Sequence, residues 1–457
     1  MGARILLSTT QKILLLALIA GFLACIIFFP QRTAVYFLGL LSLIYCINLI
    51  FNAYLTYKSV AHGSEVEVMA DEIETVSVWP TYSVLCPLYK EANILPKFVR
   101  SMEALDYPKD RLECLLLLEE DDTETITAAQ NANLPSYFKV LVLPNSKPKT
   151  KPKACNVGLD HARGEYVVIY DAEDLPEPDQ LKKAVIAYSK VSSDVFCVQA
   201  KLNFYNPNQN ILTKLFTTDY TLWYDLILPG FQAINAPIPL GGTSNHFKTE
   251  SLRELGGWDP YNVTEDCDLG IRIRKEGYKT VLVDSITWEE ANSNFFNWIR
   301  QRSRWIKGYF QTFFVNTRGS LGFIRRAGIV NYLIFWLVVG ISPFLTLLNP
   351  FLWITTILYF AFRSTLGPVI ESFYPAPVLY LAVFSFIFGN FLSLYSSLLA
   401  SAKKDRDSFV KYGLLMPVYW FMISFAAWYG FIQLIFKPHY WEKTKHGLDL
   451  KEGSAPA

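Results

Sequence analysis

The chain places a long stretch of mixed polarity between two blocks of nearly unbroken apolar sequence, and no other feature narrows its fold as much. Residues 13–29 are almost continuously apolar, and after Pro30-Gln31-Arg32-Thr33 a second run covers 34–55. Each can cross a bilayer, which takes about 20 such residues. Arg4 and Lys12 precede the first run, as in a secretory signal. No small-residue cleavage site follows, however, and a second span comes at once, so 1–60 reads as a transmembrane hairpin. Residues 329–362, 377–399 and 414–436 are again strongly apolar, giving a C-terminal membrane region over 329–436 and a tail at 437–457. A single helix over 329–362 measures roughly 50 Å against a hydrocarbon core of roughly 30 Å. Pro343 and Asn349-Pro350 therefore leave a hairpin open, with six spans instead of five.

Between these blocks, 61–80 is polar and acidic without a clear period and reads as a linker. The following 81–290 is large enough to bury its own core. A formal charge of +1 gives no basic excess that would point to nucleic acid. Seven cysteines, with no CxxC pair and with Cys25 and Cys46 inside the spans, argue against a disulfide framework or a zinc site. Both observations suit a cytosolic middle domain on a multi-pass membrane protein, since a hairpin returns the chain to its starting side. The sequon Asn262-Val263-Thr264 points the other way, but such triplets are common by chance.

Within 81–290, short apolar runs at 82–88, 112–118, 140–143, 166–170 and 195–199 alternate with segments of helical spacing such as 94–105 and 179–189. This alternation predicts an α/β domain with a doubly wound parallel sheet covered by helices on both faces. Ligands of such sheets sit beyond the carboxyl ends of the strands. Acidic clusters follow two of the runs directly: Glu119-Glu120-Asp121-Asp122 and Asp171-Ala172-Glu173-Asp174. From about Asn292, aromatic and basic residues interleave, so 291–328 reads as amphipathic helices at a bilayer interface.

Three groups carry the chemistry. Asp171 and Glu173, one residue apart at a strand end, suit a divalent cation held against a diphosphate, with a solvated turn as the plain alternative. Asp266, in Thr264-Glu265-Asp266, opens a segment with one apolar helical face. It suits either a capping group at a helix start or a base that takes a proton from an acceptor hydroxyl. Gln301, Arg304 and Trp305 fall at i, i+3 and i+4 and project from one side of a helix. A guanidinium there matches a departing diphosphate, and the indole offers a flat face to a sugar ring.

The ordered set Pro87-Leu88-Tyr89-Lys90-Glu91, Lys153-Ala154-Cys155-Asn156, Asp171-Ala172-Glu173, Phe204-Tyr205-Asn206-Pro207, Gly241-Gly242-Thr243-Ser244-Asn245, Thr264-Glu265-Asp266 and Gln301-Arg302-Ser303-Arg304-Trp305 resembles the processive family 2 glycosyltransferases, namely cellulose, chitin and hyaluronan synthases. The resemblance implies a GT-A domain cradled by a bundle of transmembrane helices. It assigns Tyr89, Glu91, Glu120, Asp122, Lys153 and Asp171 to the nucleotide donor, with Glu120 favoured over Asp122 where the family carries paired aspartates. It assigns Asp171 and Glu173 to a cation, Mg2+ or Mn2+, with Asp174 as an alternative to Glu173. Gly242, Thr243, Ser244, Glu265, Gln301, Arg304 and Trp305 go to the acceptor and diphosphate, and Asp266 is the base. No gating loop of the Phe-x-Val-Thr-x-Lys kind is found, and the tail is too short for a regulatory domain.

The expected function is therefore polymerisation of a sugar, UDP-glucose first, into a β-linked glycan by a hexosyltransferase in the cell membrane. N-acetylglucosamine and mannose donors follow closely, and an export partner is left open. The first alternative is a single addition to a lipid-linked acceptor. The second, of another class, is a transporter or receptor that senses a nucleotide sugar; the near absence of charge within the spans ranks it last.

Overall fold

The structure is a computed structural model that describes residues 2–402 and 407–442. Among these, eight strands form one sheet: β1 (Tyr82–Leu88), β2 (Leu112–Glu119), β3 (Phe138–Leu143), β4 (Tyr166–Ile169), β5 (Leu175–Pro176), β6 (Val195–Phe204), β7 (Asn245–Lys248) and β8 (Lys279–Glu289). Their order across the sheet is β3-β2-β1-β4-β7-β6-β8-β5. Neighbours β3, β2, β1 and β4 pair in parallel, as do β6 and β8. The parallel sheet expected from the alternation is thus interrupted, because β7 runs against both β4 and β6 and β5 runs against β8. Strands of four and two residues leave too little sequence for a period-2 pattern to show.

The strand period divides the core. In β1, Leu85 faces one way while Val84, Cys86 and Leu88 face the other, and in β2 Leu115 and Leu117 oppose Cys114, Leu116 and Leu118. Full burial of side chains of this size is worth roughly 1.5–3 kcal/mol each, so the two faces fix the register. The Leu85 face continues without a break into Phe216, Trp298 and Tyr419. One hydrophobic core therefore joins the sheet to the helices that follow it.

Five helices among the described residues are long and apolar enough to cross a membrane: Thr9–Phe28, Pro30–His62, Ile329–Ala361, Ala376–Ala402 and Met416–Phe436. Ser8 and Gln11 close a capping box at the start of the first, and Pro30 opens the second at a position where its missing N–H costs nothing. The Ile329–Ala361 segment forms no hairpin. It runs through Pro343 and Pro350 as one span, with a wider π-helical turn at Trp336–Ile341 just before Pro343.

The Phe295–Asn316 helix, expected at a bilayer interface, packs one face deep inside the protein. It is wedged between the sheet domain and Met416–Phe436, with Trp298, Ser303, Lys307 and Gln311 fully buried. The last span approaches it so closely that a β-carbon at Gly430 would run into the Ser303 backbone. The linker also joins the domain, since Val66 bridges Val283 of β8 and Glu65 pairs with the buried Lys201. Asn262 of the sequon is fully buried and donates to Thr312 Oγ1 at 2.9 Å, so it presents no side chain for glycosylation.

Candidate active site

The carboxyl ends of β1, β2, β4, β6 and β8 reach one edge of the sheet. There Tyr89, Glu119, Asp171, Phe204 and Glu289 line a single cavity of about 690 Å3. The cavity extends from Tyr89 and Lys149 past Asp171 and Glu173 to Glu265 and Asp266, and continues between helices at Trp223, Val338, Ser342 and Thr346. Asp171, Asp266 and Arg304, taken from three separate parts of the chain, all open onto it.

At its centre stands Lys151, the first residue of the Lys151–His161 helix. Its ammonium lies 2.5 Å from Asp171 Oδ1, 2.7 Å from Asp171 Oδ2 and 2.7 Å from the carbonyl oxygen of Gly242. Burial alone would lower the ammonium, but Asp171 and then Glu265 outweigh it and raise it well above its ordinary value. Asp266 sits in the first turn of the Glu265–Lys275 helix, where its Oδ1 accepts from the Cys267 N–H at 2.7 Å. A β-carbon at Gly242 would stand 3.3 Å from Asp266 Oδ2, so the glycine leaves that oxygen open to the cavity. Burial raises the Asp266 carboxyl, while the Cys267 N–H, Lys151 and Arg304 pull it down. Glu265 is pushed up to about 8 by burial and by its neighbour Asp266. The two acids titrate as a pair.

The Phe295–Asn316 helix supplies the facing wall. Gln301, Arg304 and Trp305 all line the cavity, as their spacing predicts. Gln301 Oε1 accepts from Asn292 at 3.1 Å. Trp305 is held between Tyr220, Phe216 and the Arg302 guanidinium, which is 4.7 Å from its ring. Arg302 is itself bound to Asp219 and to the Tyr419 hydroxyl. Arg304 has a buried Nε without a partner and stacks 4.7 Å over Trp441. Trp441 arrives from beyond the last span: Lys307 Nζ donates to Tyr440 O at 2.7 Å and Gln311 Nε2 to Pro438 O at 2.9 Å, and together these pin the returning chain.

Of the other residues singled out in the sequence, Tyr89, Glu91, Glu173, Gly242 and Glu265 line the cavity, whereas Glu120, Asp122, Lys153, Thr243 and Ser244 do not. Glu120 is exposed and accepts from the Asn145 N–H, and Asp122 caps the Thr123–Asn131 helix. The acids of that cluster nearest the site are Glu119, which lines the cavity and takes Lys153 at 3.1 Å, and Asp121, which meets the Tyr89 hydroxyl at 3.4 Å. Thr243 and Ser244 are fully buried behind the wall, bonded to Asp174 and Thr287 respectively. Sequence reasoning passed over Lys151, Glu289, Glu290, Tyr220 and Trp441. Glu289 carried a readable signal, being an acid at a strand end; its carboxyl is raised by burial and by Asp174, Glu173 and Asp171.

A divalent cation is compatible with the donor set. Asp171 and Glu173 both face the cavity, and carboxylates completed by phosphate oxygens suit a hard ion. Asp174 is turned away: its Oδ2 accepts from Thr243 at 2.5 Å and from the Asp171 N–H at 2.8 Å, and the residue is 1% exposed. No three His, Cys, Asp or Glu side chains among the described residues converge on a metal position.

The model of the glycosyl transferase family group 2 matches residues 166–432, more than half of the chain and all of the elements from β4 onward that build this site. The chain belongs to that family. Relatives of the group 2 domain include a probable glycosyltransferase of Bacillus subtilis (strain 168), YdaM, 28% identical over 243 residues that cover 51% of this chain and 56% of the relative. A probable glucomannan 4-beta-mannosyltransferase 10 of Arabidopsis thaliana is 27% identical over 252 residues, 53% of this chain and 45% of the relative. The chain thus spans about half the length of the curated relatives it matches. Among solved structures, a Pyrobaculum calidifontis mannosyltransferase in complex with GDP-Man and Mn2+ aligns at 18% identity with a TM-score of 0.49, over 84% of this chain and 99% of that one.

Proposed function

We propose that the protein is an inverting, membrane-embedded hexosyltransferase that extends a β-linked glycan from a nucleotide-sugar donor. The observation that carries this reading is the shared cavity, in which Asp266, Asp171 and Arg304 face one another although they lie far apart in sequence. The nucleotide enters at Tyr89, Glu91 and Glu119, with its diphosphate between Asp171 and Arg304. Asp266 Oδ2 takes the proton of the acceptor hydroxyl as that oxygen attacks the anomeric carbon from the face opposite the diphosphate. Trp305, braced by Tyr220 and Arg302, carries the acceptor sugar on its ring. Arg304 is half-buried with its Nε enclosed and unpartnered, and so meets the leaving charge with little water to shed. A cation held by Asp171 and Glu173 would add positive charge at the leaving diphosphate.

UDP-glucose is the donor suggested by the motif set, and the names of the plant relatives, glucomannan 4-beta-mannosyltransferases, bring a mannosyl donor beside it. The catalytic domain faces the cytosol, where nucleotide sugars are made. A second reading has one supporting observation. The cavity runs on between the helices past Leu222, Ile227, Val338 and Ile423, an apolar path that also fits the chain of a lipid-linked acceptor. Purified protein supplied separately with labelled UDP-glucose, UDP-N-acetylglucosamine and GDP-mannose decides the matter. A ladder of long products from one donor supports polymerisation, a single short glycolipid supports the second reading, and no incorporation from any donor contradicts both.

A further inference from the structure

Lys151 occupies the place where a cation would be expected to approach Asp171. Its ammonium, at ion-pair distance from Asp171 Oδ1, donates to Oδ2 of the same carboxylate and to the Gly242 carbonyl. Its side chain is only 15% exposed, so water screens the pair weakly. A divalent ion that coordinates Asp171 therefore meets a fixed positive charge close by, with Glu173 as its only other facing carboxylate from this motif. A diphosphate changes that balance. It brings several negative charges, offers the ammonium a new partner, and supplies the oxygen ligands that the protein lacks.

We propose that Lys151 is the resident counter-ion of Asp171, so that a divalent cation binds at Asp171 and Glu173 only together with the donor's diphosphate. The proposal rests on the reading of the site as one for a nucleotide sugar. It makes Lys151 a positioning residue: it holds Asp171 in place in the empty site and hands it to the metal when the diphosphate arrives. Linkage then requires that nucleotide tighten metal binding and that metal tighten nucleotide binding by the same factor. The Lys151 charge is the source of that coupling.

The test is a Mn2+ titration of the full chain in detergent, followed by the electron paramagnetic resonance signal of free Mn2+, without nucleotide and with GDP or UDP. Mn2+ held by nucleotide in a protein-free control is subtracted. Wild type is expected to bind Mn2+ at least tenfold more tightly with nucleotide than without. Lys151→Met is expected to bind Mn2+ alone at least tenfold more tightly than wild type and to lose most of the coupling, while Lys151→Arg keeps the charge and the wild-type pattern. The wild-type comparison needs no variant, so it stands even if Lys151→Met folds poorly. Equal Mn2+ affinity with and without nucleotide in a chain that turns over donor overturns the role of Lys151 and leaves the transferase reading intact. Unchanged Mn2+ affinity in a folded Lys151→Met protein does the same. Absence of any Mn2+-dependent nucleotide binding overturns both.

Discussion

Gly308 packs directly on the side chain of Thr264, so closely that a β-carbon at 308 would run into the threonine. Thr264 immediately precedes the helix that carries Asp266, and Gly308 lies one turn beyond Arg304 on the facing helix. This contact sets the spacing between the proposed base and the proposed diphosphate ligand. Gly308→Ala is expected to push the two helices apart and lower kcat by roughly 10- to 100-fold, since misplacement of about 1 Å can cost that much. Steady-state kinetics beside a thermal melt checks it; a loss of activity in the protein that remains folded, together with a lowered melting temperature from the overpacking, is the expected pattern.

The pH dependence follows from burial. A base must be deprotonated to act, and burial raises Asp266, so kcat is expected to climb with pH through a limb above the ordinary carboxylate range of about 4. Lys151 and Arg304 both favour the ionised form, so Lys151→Met moves that limb to higher pH. Glu265, at about 8, is protonated at neutral pH. A carboxyl whose folded value is raised contributes stability at low pH that is lost as pH rises through that value. The melting temperature is therefore expected to fall in wild type as pH rises from about 4.5 to about 8, with no further fall from this group above that, and to fall less over the same window in Glu265→Gln. A pH series of kcat and of melting curves reads both effects.

Trp441 covers Arg304 and lines the cavity. Its removal exposes the guanidinium to water and weakens its pull on a diphosphate. Trp441→Ala is expected to raise the donor KM by about tenfold, in line with a desolvated cation–π contact of about 1–2 kcal/mol. Trp441→Phe should recover most of the loss. Donor titrations of the two variants test this, and an unchanged KM in Trp441→Ala speaks against the contact.

The Arg302–Asp219 pair joins the helix bearing Trp305 to the Ile211–Leu222 helix, and the Tyr419 hydroxyl ties both to the last span. Breaking a largely buried pair by neutralising one partner typically costs 3–5 kcal/mol, discounted here because Asp219 is 26% exposed. Asp219→Asn is expected to lower stability by about 1–3 kcal/mol and to weaken acceptor use more than donor binding. Chemical denaturation and separate KM values for donor and acceptor measure the two effects.

The sheet was legible because its central strands are continuous apolar runs, as in 82–88 and 112–118, and because acids stand where those runs end. The long apolar helices were legible from the length and composition of their runs. β7 was not, since four residues carry no period, and its direction depends on pairing with strands distant in sequence. Gln301, Arg304 and Trp305 were found because helical spacing puts them on one side. Lys151 escaped because Lys153, two residues on, carries the recognisable pattern, yet Lys153 turns to Glu119 while Lys151 reaches Asp171. Trp441 escaped because only the return of the chain after Met416–Phe436 brings it to Arg304.

The central claim is that Asp266 removes the acceptor proton at a site where the nucleotide is bound by other groups. Its most direct test is single-turnover transfer by Asp266→Asn, with nucleotide affinity measured on the same preparation. The account predicts a fall in the transfer rate of about 10²- to 10⁴-fold, with nucleotide binding within a few-fold of wild type. Transfer at a near-normal rate in that variant would contradict it.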